Sequence, residues 1–152
     1  GDPVPGIANL KRADRHFQPA EFLSGVETAF EMIVEAFSRG DIEVLKTLLD
    51  DRTLKGFEAE IRRRRAAHEE VNSSLISIDS CEIVEVGILE DRATVRVNIV
   101  SKQVHFVRNE DSGEVVEGDT SAVSTINDVW TFARDVRSDD PNWLLAETRP
   151  GD

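Results

Sequence analysis

The first half of the chain has the hydrophobic period of α-helices. Between residues 19 and 40, apolar side chains recur at steps of three and four, which predicts one amphipathic helix of about five turns. Pro19 suits the first turn of such a helix, and Arg39–Gly40 suits its end. The apolar stripe consists of Phe22, Val26, Phe30, Ile33 and Phe37.

Shorter helices and a preceding segment complete this half. Asp41 can cap a short leucine-rich helix, and a further helix is predicted from about Thr53. Residues 1–18 combine proline and glycine with several cations, so we expect an arm or the end of a linker there. The domain itself is expected to span residues 19–152.

From Ser74 onward the hydrophobic period changes to two, which predicts β-strands. A first strand runs to about Val86 with an irregularity near Cys81, and a second alternates between polar and apolar residues over 94–106. After a turn-rich loop, we expect one long strand over 115–136 and a short last strand over 143–146. Helices followed by an antiparallel meander predict an α+β fold, with the N-terminal helices packed on one face of the sheet.

Composition narrows the class of protein. The 152 residues fit one domain, and 18 Lys and Arg against 30 Asp and Glu give a net charge of −12. Such a balance argues against nucleic-acid binding, which needs clustered positive charge. The apolar runs are far shorter than the ~20 residues that cross a bilayer. The single Cys81 cannot form an internal disulfide.

The polar residues form no recognisable catalytic or metal-binding motif. The histidines, His16, His68 and His105, lack the spacing that presets metal geometry, so we expect neither a metal nor a cofactor. Asp128, near Trp130, is the one carboxylate worth testing as a general base. The alternative interpretation of Asp128 is a polar residue on the outer side of its strand or near the mouth of the domain.

Four consecutive arginines, Arg62–Arg65, allow two interpretations. Glutamates at helical spacing favour a solvated helix stabilised by ion pairs of roughly 0.2–0.5 kcal/mol each. In the other interpretation, Arg65 and His68 continue the apolar side of the helix, rim a pocket and face an anion such as a lipid headgroup. The sequence leaves both open.

The aromatic residues pose the main question about function. The phenylalanines of the long helix, together with Trp130 and Phe132, are typical of a core. A sheet that curves around a helix can also leave an apolar cavity there. Whether this interior is filled or hollow does not follow from the sequence.

Two short motifs carry a resemblance to a known family. They are Asp128-Val129-Trp130-Thr131-Phe132 followed by Arg134, and Asp140-Pro141-Asn142-Trp143-Leu144. With Phe22-Leu23, Gly25 and Gly40-Asp41 upstream, the stretch from Phe22 to Thr148 resembles the C-terminal domain of the forty-four-kilodalton subunit of the mitochondrial inner-membrane import translocase (Tim family) and its bacterial relatives.

The resemblance implies a fold, a location and partners. The fold would be a curved antiparallel sheet wrapped around helices, like the nuclear-transport-factor-two and cystatin-like cones, with a large apolar pocket. The domain would be non-enzymatic and peripheral to an inner membrane, with cardiolipin-like anionic lipid and translocase or assembly proteins as partners. The net charge of −12 favours a bacterial homologue. We expect it on the cytoplasmic side, with any anchoring segment upstream of Gly1.

The leading hypothesis is a membrane-peripheral adaptor that holds an acyl chain or an apolar segment of a partner. A protein-only scaffold with a closed core and a small-molecule enzyme of the cone-domain type are the alternatives. Headgroup contact is predicted for Lys11, Arg12, Arg15 and Arg65. The predicted interior pocket consists of Phe22, Phe30, Ile33, Val97, Ile99, Trp130 and Phe132.

Overall fold

A computed structural model describes residues 4–152 as helices followed by a sheet. The helices are α1 (Ile7–Ala13), α2 (Pro19–Arg39), α3 (Ile42–Leu48) and α4 (Asp51–Ala66). The strands are β1 (Glu69–Leu89), β2 (Arg92–Asn109), β3 (Val115–Gly118), β4 (Ser124–Asp135) and β5 (Leu144–Pro150). The predicted order of helices first and strands afterwards is confirmed.

Local signals set the ends of the helices. Pro19 occupies the first turn of α2, and Gly40 ends it in the left-handed region at φ 72°. The Asp41 carboxylate accepts a hydrogen bond from the Val44 amide at 3.2 Å and so caps α3. Asp50 caps α4 in the same way, through the Thr53 amide at 2.8 Å.

All strand pairs in the sheet are antiparallel. The order is β1-β2-β4-β5, and β3 pairs with the far end of β2, beyond β4. β1 is an edge strand with three register shifts, and the shifts at Ile78/Ser80 and Ile83/Glu85 flank Cys81, where an irregularity was predicted. Such bulges bend a strand and increase its twist, so they curve the sheet and make its edge a poor template for another strand.

The core lies between α2 and the sheet. Phe30 of α2 is fully buried, and its ring centroid lies 4.7 Å from that of Trp130 on β4. Alternate residues of β2, from Ala93 to Ile99, are 0% exposed and belong to the same core cluster as Phe30. The predicted α+β fold, helices on one face of a curved antiparallel sheet in a cone-like arrangement, is confirmed.

The segment expected to be an arm differs from that expectation over the residues that the structure describes. Residues 7–13 form α1, and Leu10 and Phe17, 0% and 5% exposed, belong to the core cluster. The sequence signal was weak because a helix of seven residues offers too few positions to show a period. Residues 1–3 lie outside the described part of the chain.

The single long strand predicted over 115–136 is wrong. β3 ends at Gly118 and β4 begins only at Ser124. Gly118 has φ 78°, and a Cβ there would lie 2.2 Å from the His105 carbonyl oxygen. A residue with a side chain does not fit this close approach, so the glycine marks a break between two strands that pair with different parts of β2.

Candidate functional site, an apolar groove along helix α2

An open groove of about 890 Å³ runs along one side of α2. Its other walls are the α1–α2 connection, the end of α3 and the loop between β4 and β5. Gly25 lies in the α2 wall, and a Cβ placed on it would meet no atom within 4 Å. Open space therefore lies directly over the first third of the helix.

Four aromatic rings form the floor of the groove. The Phe22 ring stands edge-on to Trp143 and to Phe132, with centroid distances of 5.2 Å and 6.1 Å. Phe17 packs against Phe22 at 5.5 Å and against Trp143 at 6.0 Å. These rings come from the α1–α2 connection, α2, β4 and the β4–β5 loop, so the floor forms only when all four segments are in place. We call Phe17, Phe22, Phe132 and Trp143 the aromatic floor.

One arginine holds the end of the groove together. Arg134 Nη1 donates to Asp14 Oδ2 at 2.7 Å, while Nε and Nη2 donate to the carbonyl oxygens of Asp140 and Ser138, each at 3.1 Å. The side chains of Arg134 and Asp14 are only 11% and 15% exposed. The guanidinium thus ties α1 and the β4–β5 loop to β4, and it links the two motifs noted in the sequence.

Arg134 also lines a second, smaller groove of about 490 Å³. The lining of this groove is rich in carboxylates, among them Asp91, Asp135 and Asp140. Within residues 4–152, no cluster of three or more His, Cys, Asp or Glu is placed to hold a metal ion. The larger groove, with its aromatic floor, is therefore the better candidate for a binding site.

The electrostatics of the larger groove are negative. Five charged or titratable residues line it: Asp14, His16, Glu21, Arg134 and Asp139. Asp14 and Arg134 neutralise each other, whereas Glu21 and Asp139 are exposed and form no ion pair with any described residue. Two uncompensated carboxylates, Glu21 and Asp139, therefore stand at the rim.

The structure divides the predicted interior pocket into two parts. Phe22 and Phe132 lie at the groove. All seven residues belong to the core cluster and are at most 8% exposed, and the other five line neither of the two grooves. They are Phe30, Ile33, Val97, Ile99 and Trp130.

The residues predicted to contact headgroups also divide. Lys11 and Arg12 on α1, and Arg15 just after it, are exposed and form no ion pair with any other residue of the described chain. Arg12 donates a hydrogen bond only to the neighbouring Asn9 side chain. Arg65 instead donates to the Gly40 carbonyl oxygen at 3.2 Å, where it contributes to the end of α2.

The arginine run is mostly structural. Arg62 and Arg63 pair with glutamates one turn away, as the solvated-helix interpretation predicts. Arg64 is 4% exposed, donates to the carbonyl oxygens of Phe37 and Ser38, and lies 4.9 Å above the Phe37 ring. Burial lowers the pKa of this guanidinium. Arg64 thus helps to fix the C-terminal end of α2.

His68, the other residue considered for the pocket rim, lies elsewhere. Its Nδ1 is 2.8 Å from Asp111 Oδ2, and this contact raises the pKa of the imidazole. Both side chains are exposed. The pair joins the α4–β1 turn to the loop after β2, and neither Arg65 nor His68 lines either groove.

Asp128 lies on the core side of β4. Its strand partner is the fully buried Ile99, so the placement of Asp128 on the outer side of its strand is wrong. Desolvation raises the pKa of the Asp128 carboxyl, which has no hydrogen-bond partner or ion pair among residues 4–152. His105, the other candidate polar group, is 2.7 Å from Ser73 Oγ. Neither Asp128 nor His105 lines the grooves described above.

We expect Asp128→Asn to raise the melting temperature at pH 7. The folded state raises the pKa of this carboxyl, so it binds the proton more readily than the unfolded state does. The protonated carboxyl therefore stabilises the fold fully when the pH lies below the pKa that Asp128 has in the unfolded chain. This stabilisation is lost as the pH rises through the higher pKa that Asp128 has in the folded protein. Because asparagine stays neutral at every pH, the gain in melting temperature of the variant over the wild type should be clear at pH 7 and vanish below pH 3.8.

Differential scanning fluorimetry from pH 3 to 8 measures this difference. Asp119→Asn is the matched control, because hydrogen bonds from Ser121 and Ala122 lower the pKa of that exposed carboxyl. Its substitution should not raise the melting temperature. Equal responses of the two variants would contradict the assigned burial of Asp128.

Cys81 is a poor nucleophile. Burial, with smaller contributions from Glu27 and Glu82, raises the pKa of its thiol to about 11. At neutral pH the thiolate, which is the reactive form, is therefore scarce.

Sequence reasoning missed several residues of the groove. Phe17 lay within the presumed arm, and the partnership of Asp14 with Arg134 spans 120 residues of sequence. Gly25 and Arg134 were noted only for the resemblance, and Trp143 was noted for the resemblance and as the start of the predicted last strand. The available signal was the pair of motifs around residues 128–134 and 140–144, because both contribute to one end of the groove.

No helix within residues 4–152 combines the length and hydropathy that a bilayer crossing requires. The structure is an α+β domain, with helices packed on a curved antiparallel sheet and an open groove beside them. The chain belongs to the Tim44-like domain family, which matches residues 5–150. The resemblance to the translocase family is thereby confirmed.

Relatives of the chain include translocase subunits and a bacterial protein. The probable mitochondrial import inner membrane translocase subunit tin-44 of Caenorhabditis elegans is 28% identical, over 93% of this chain and 34% of the relative. An uncharacterized protein of Rickettsia prowazekii is also 28% identical, over 94% of this chain and 58% of that protein. The human mitochondrial import inner membrane translocase subunit TIM44 is 26% identical, over 85% of this chain and 28% of the human protein. The chain thus spans between about a quarter and three fifths of the length of these relatives.

One solved structure supports the fold alone. The intermembrane space region of the chloroplast protein ARC6 superposes with a TM-score of 0.58 and 16% identity, over 88% of this chain and 97% of that one. At this identity the similarity shows a shared architecture and carries no information about ligands.

Proposed function

We propose that this chain is a non-enzymatic adaptor domain that acts in protein transport or membrane-protein assembly at an inner membrane. In this role, the cations of α1 face anionic lipid, and the groove along α2 receives an apolar chain from a partner. The observation that carries the proposal is the open groove with its aromatic floor beside α1, where Lys11 and Arg12 of the helix and Arg15 just after it are unpaired in the described chain.

The groove has the properties of a binding site. Its volume of about 890 Å³ lies within the range of roughly 300–1,000 Å³ that is usual for ligand pockets. Phe22, Trp143 and Met32 provide apolar surface, and polar side chains such as Glu21 and Asp139 lie beside it. Aromatic anchors of this kind dominate many binding interfaces. Relatives that are subunits of an inner-membrane import translocase support a protein-transport setting.

The cations of α1 offset the overall charge locally. A protein with a net charge of −12 is repelled by an anionic membrane unless positive charge lies at the contact. Lys11, Arg12 and Arg15 lie within five residues of one another, and each can contribute about 1 kcal/mol near an anionic surface. A segment with these three exposed side chains is thus suited to peripheral contact with cardiolipin-like lipid.

Vesicle flotation tests the membrane part. We expect the protein to float with phosphatidylcholine vesicles that contain cardiolipin, and much less with phosphatidylcholine alone. Replacing Lys11, Arg12 and Arg15 with glutamine should weaken binding roughly tenfold or more, because three favourable charges are removed. Added salt should reduce binding of the wild type more strongly than binding of the variant.

The matched control replaces three other exposed cations that form no ion pair with any described residue, Arg52, Lys55 and Arg149. It changes the net charge by the same amount, so it should bind nearly as the wild type does. Equal weakening by both triple variants would show a non-specific charge effect and refute the role of α1. Absence of flotation by the wild type would refute membrane contact by this chain.

A further inference from the structure

The negative rim of the groove distinguishes between its possible occupants. An anionic lipid headgroup at the groove would face Glu21 and Asp139, which have no cation to neutralise them among residues 4–152. Lysine or arginine side chains would instead meet complementary charge there. The cations of α1 do not relieve this repulsion from within the groove, since none of the three lines it.

The shape of the groove adds a second constraint. It extends along α2 from Gln18 to Met32, about 20 Å at the helical rise of 1.5 Å per residue. Apolar side chains lie along this length, from the aromatic floor to Val26, Ala29 and Met32. A peptide of about ten residues can place two or three large side chains on such a surface while its ends reach the polar rim.

Resting on the proposed adaptor role, we infer that the occupant of the groove is a protein segment in which large apolar side chains are flanked by lysine or arginine. Membrane proteins have many such segments, because their cytoplasmic loops are enriched in Lys and Arg near the ends of apolar spans. The apolar side chains pack on the aromatic floor, and the flanking cations pair with Glu21 and Asp139. In this arrangement, Lys11, Arg12 and Arg15 contact the lipid and the groove does not.

Two synthetic peptides provide the probe. Both contain the same central leucine and phenylalanine residues, and they differ only in lysine or glutamate at the two ends. Fluorescence anisotropy of the labelled peptides should show clearly tighter binding of the lysine-flanked peptide. That preference should decrease as salt is added, because rim charges are screened.

The substitution Gly25→Leu should fill part of the groove and block it. The new side chain enters space where no atom lies within 4 Å of the Cβ, so it should reduce peptide affinity tenfold or more without disturbing the fold. Replacing a glycine inside a helix also favours the helix, so the melting temperature should not fall. Gly56→Leu is the control, because Gly56 is a helical glycine of α4 with equally open surroundings and does not line the groove.

The rim charges are tested separately. Glu21→Gln with Asp139→Asn should weaken the lysine-flanked peptide roughly three- to tenfold, as expected for two exposed ion pairs. Glu110→Gln with Glu114→Gln removes the same charge from exposed positions outside the groove and should have little effect. Equal effects of the two double variants would overturn the assignment of the rim.

The outcomes separate this inference from the proposed function. Equal affinity for both peptides, or unchanged binding by Gly25→Leu, would overturn the inference while flotation on cardiolipin vesicles still supported the role of α1. If Gly25→Leu abolished vesicle flotation, or if cardiolipin vesicles displaced the peptide, the groove would belong to lipid and the inference would be wrong. Failed flotation with preserved peptide binding would refute only the membrane part.

Discussion

Arg134→Met should destabilise the protein by about 3 kcal/mol and lower its melting temperature by roughly 6–12 °C. The substitution keeps apolar bulk beside the aromatic floor but leaves the Asp14 carboxylate, 15% exposed, without its partner at 2.7 Å. It also removes the donors to Asp140 and Ser138, which hold the β4–β5 loop. A buried carboxylate that loses its cation is costly, because the protein interior solvates charge poorly.

Arg137→Met is the matched control for this prediction. Arg137 follows shortly after Arg134 in the chain and pairs with Asp91 at 3.1 Å, but the two side chains are 76% and 49% exposed. Exposed pairs contribute about 0–1 kcal/mol, so this variant should remain close to the wild type in chemical denaturation. Combining Asp14→Asn with Arg134→Met should recover part of the lost stability, since no unpaired charge remains. Strict additivity of the two substitutions would contradict a direct pair.

The same arginine determines how α1 is held. Since Asp14 directly follows the helix, losing its ion pair should loosen α1 more than the sheet. Hydrogen exchange of the Arg134→Met variant should therefore increase first in residues 7–17, which include the buried Leu10 and Phe17. Uniform exchange across the chain would indicate global destabilisation instead.

Helix α2 could be predicted to within a residue at each end, because three local signals agree there. The apolar stripe, Pro19 in the first turn and Gly40 beyond the last are all properties of neighbouring residues. The alternating pattern of β2 was equally readable, since every second side chain from Ala93 to Gln103 is buried. Strong local periodicity thus made the fold class accessible without any tertiary information.

Helix α1 and the break after β3 were not accessible in this way. α1 has seven residues, and its position depends on an ion pair with a residue 120 positions away. The valines at 115, 116 and 123 imitate a continuous strand, although all three are exposed. The chain turns at Gly118 because the His105 carbonyl approaches it closely, and that contact is a property of the folded sheet.

The groove was only partly predictable, for a related reason. Phe22 and Phe132 were recognised as possible pocket residues because each belongs to a clear apolar pattern. The space between them depends on where the α1–α2 connection and the β4–β5 loop come to rest, and neither segment has a hydrophobic period. Aromatic residues indicated where apolar surface is concentrated, but not whether it faces the core or an open cleft.

A second large effect tests whether the interior is filled. Phe30→Ala should cost about 3–5 kcal/mol, because it removes a fully buried ring that packs at 4.7 Å on Trp130 and leaves a cavity that the core cannot close. For a chain of this length the melting temperature should fall by roughly 10 °C. Urea denaturation, followed by far-ultraviolet circular dichroism, measures the change.

Met32→Ala controls for the loss of a large apolar side chain from the same helix. Met32 is 42% exposed, so its removal should change stability by no more than about 0.5 kcal/mol. If Phe30→Ala cost less than about 1 kcal/mol, the ring would face free space, and the ligand site would lie inside the cone among Ile33, Val97 and Trp130. A large loss of stability in Phe30→Ala would instead show that packed side chains fill the interior. The groove along α2 is then the place where an apolar ligand can bind.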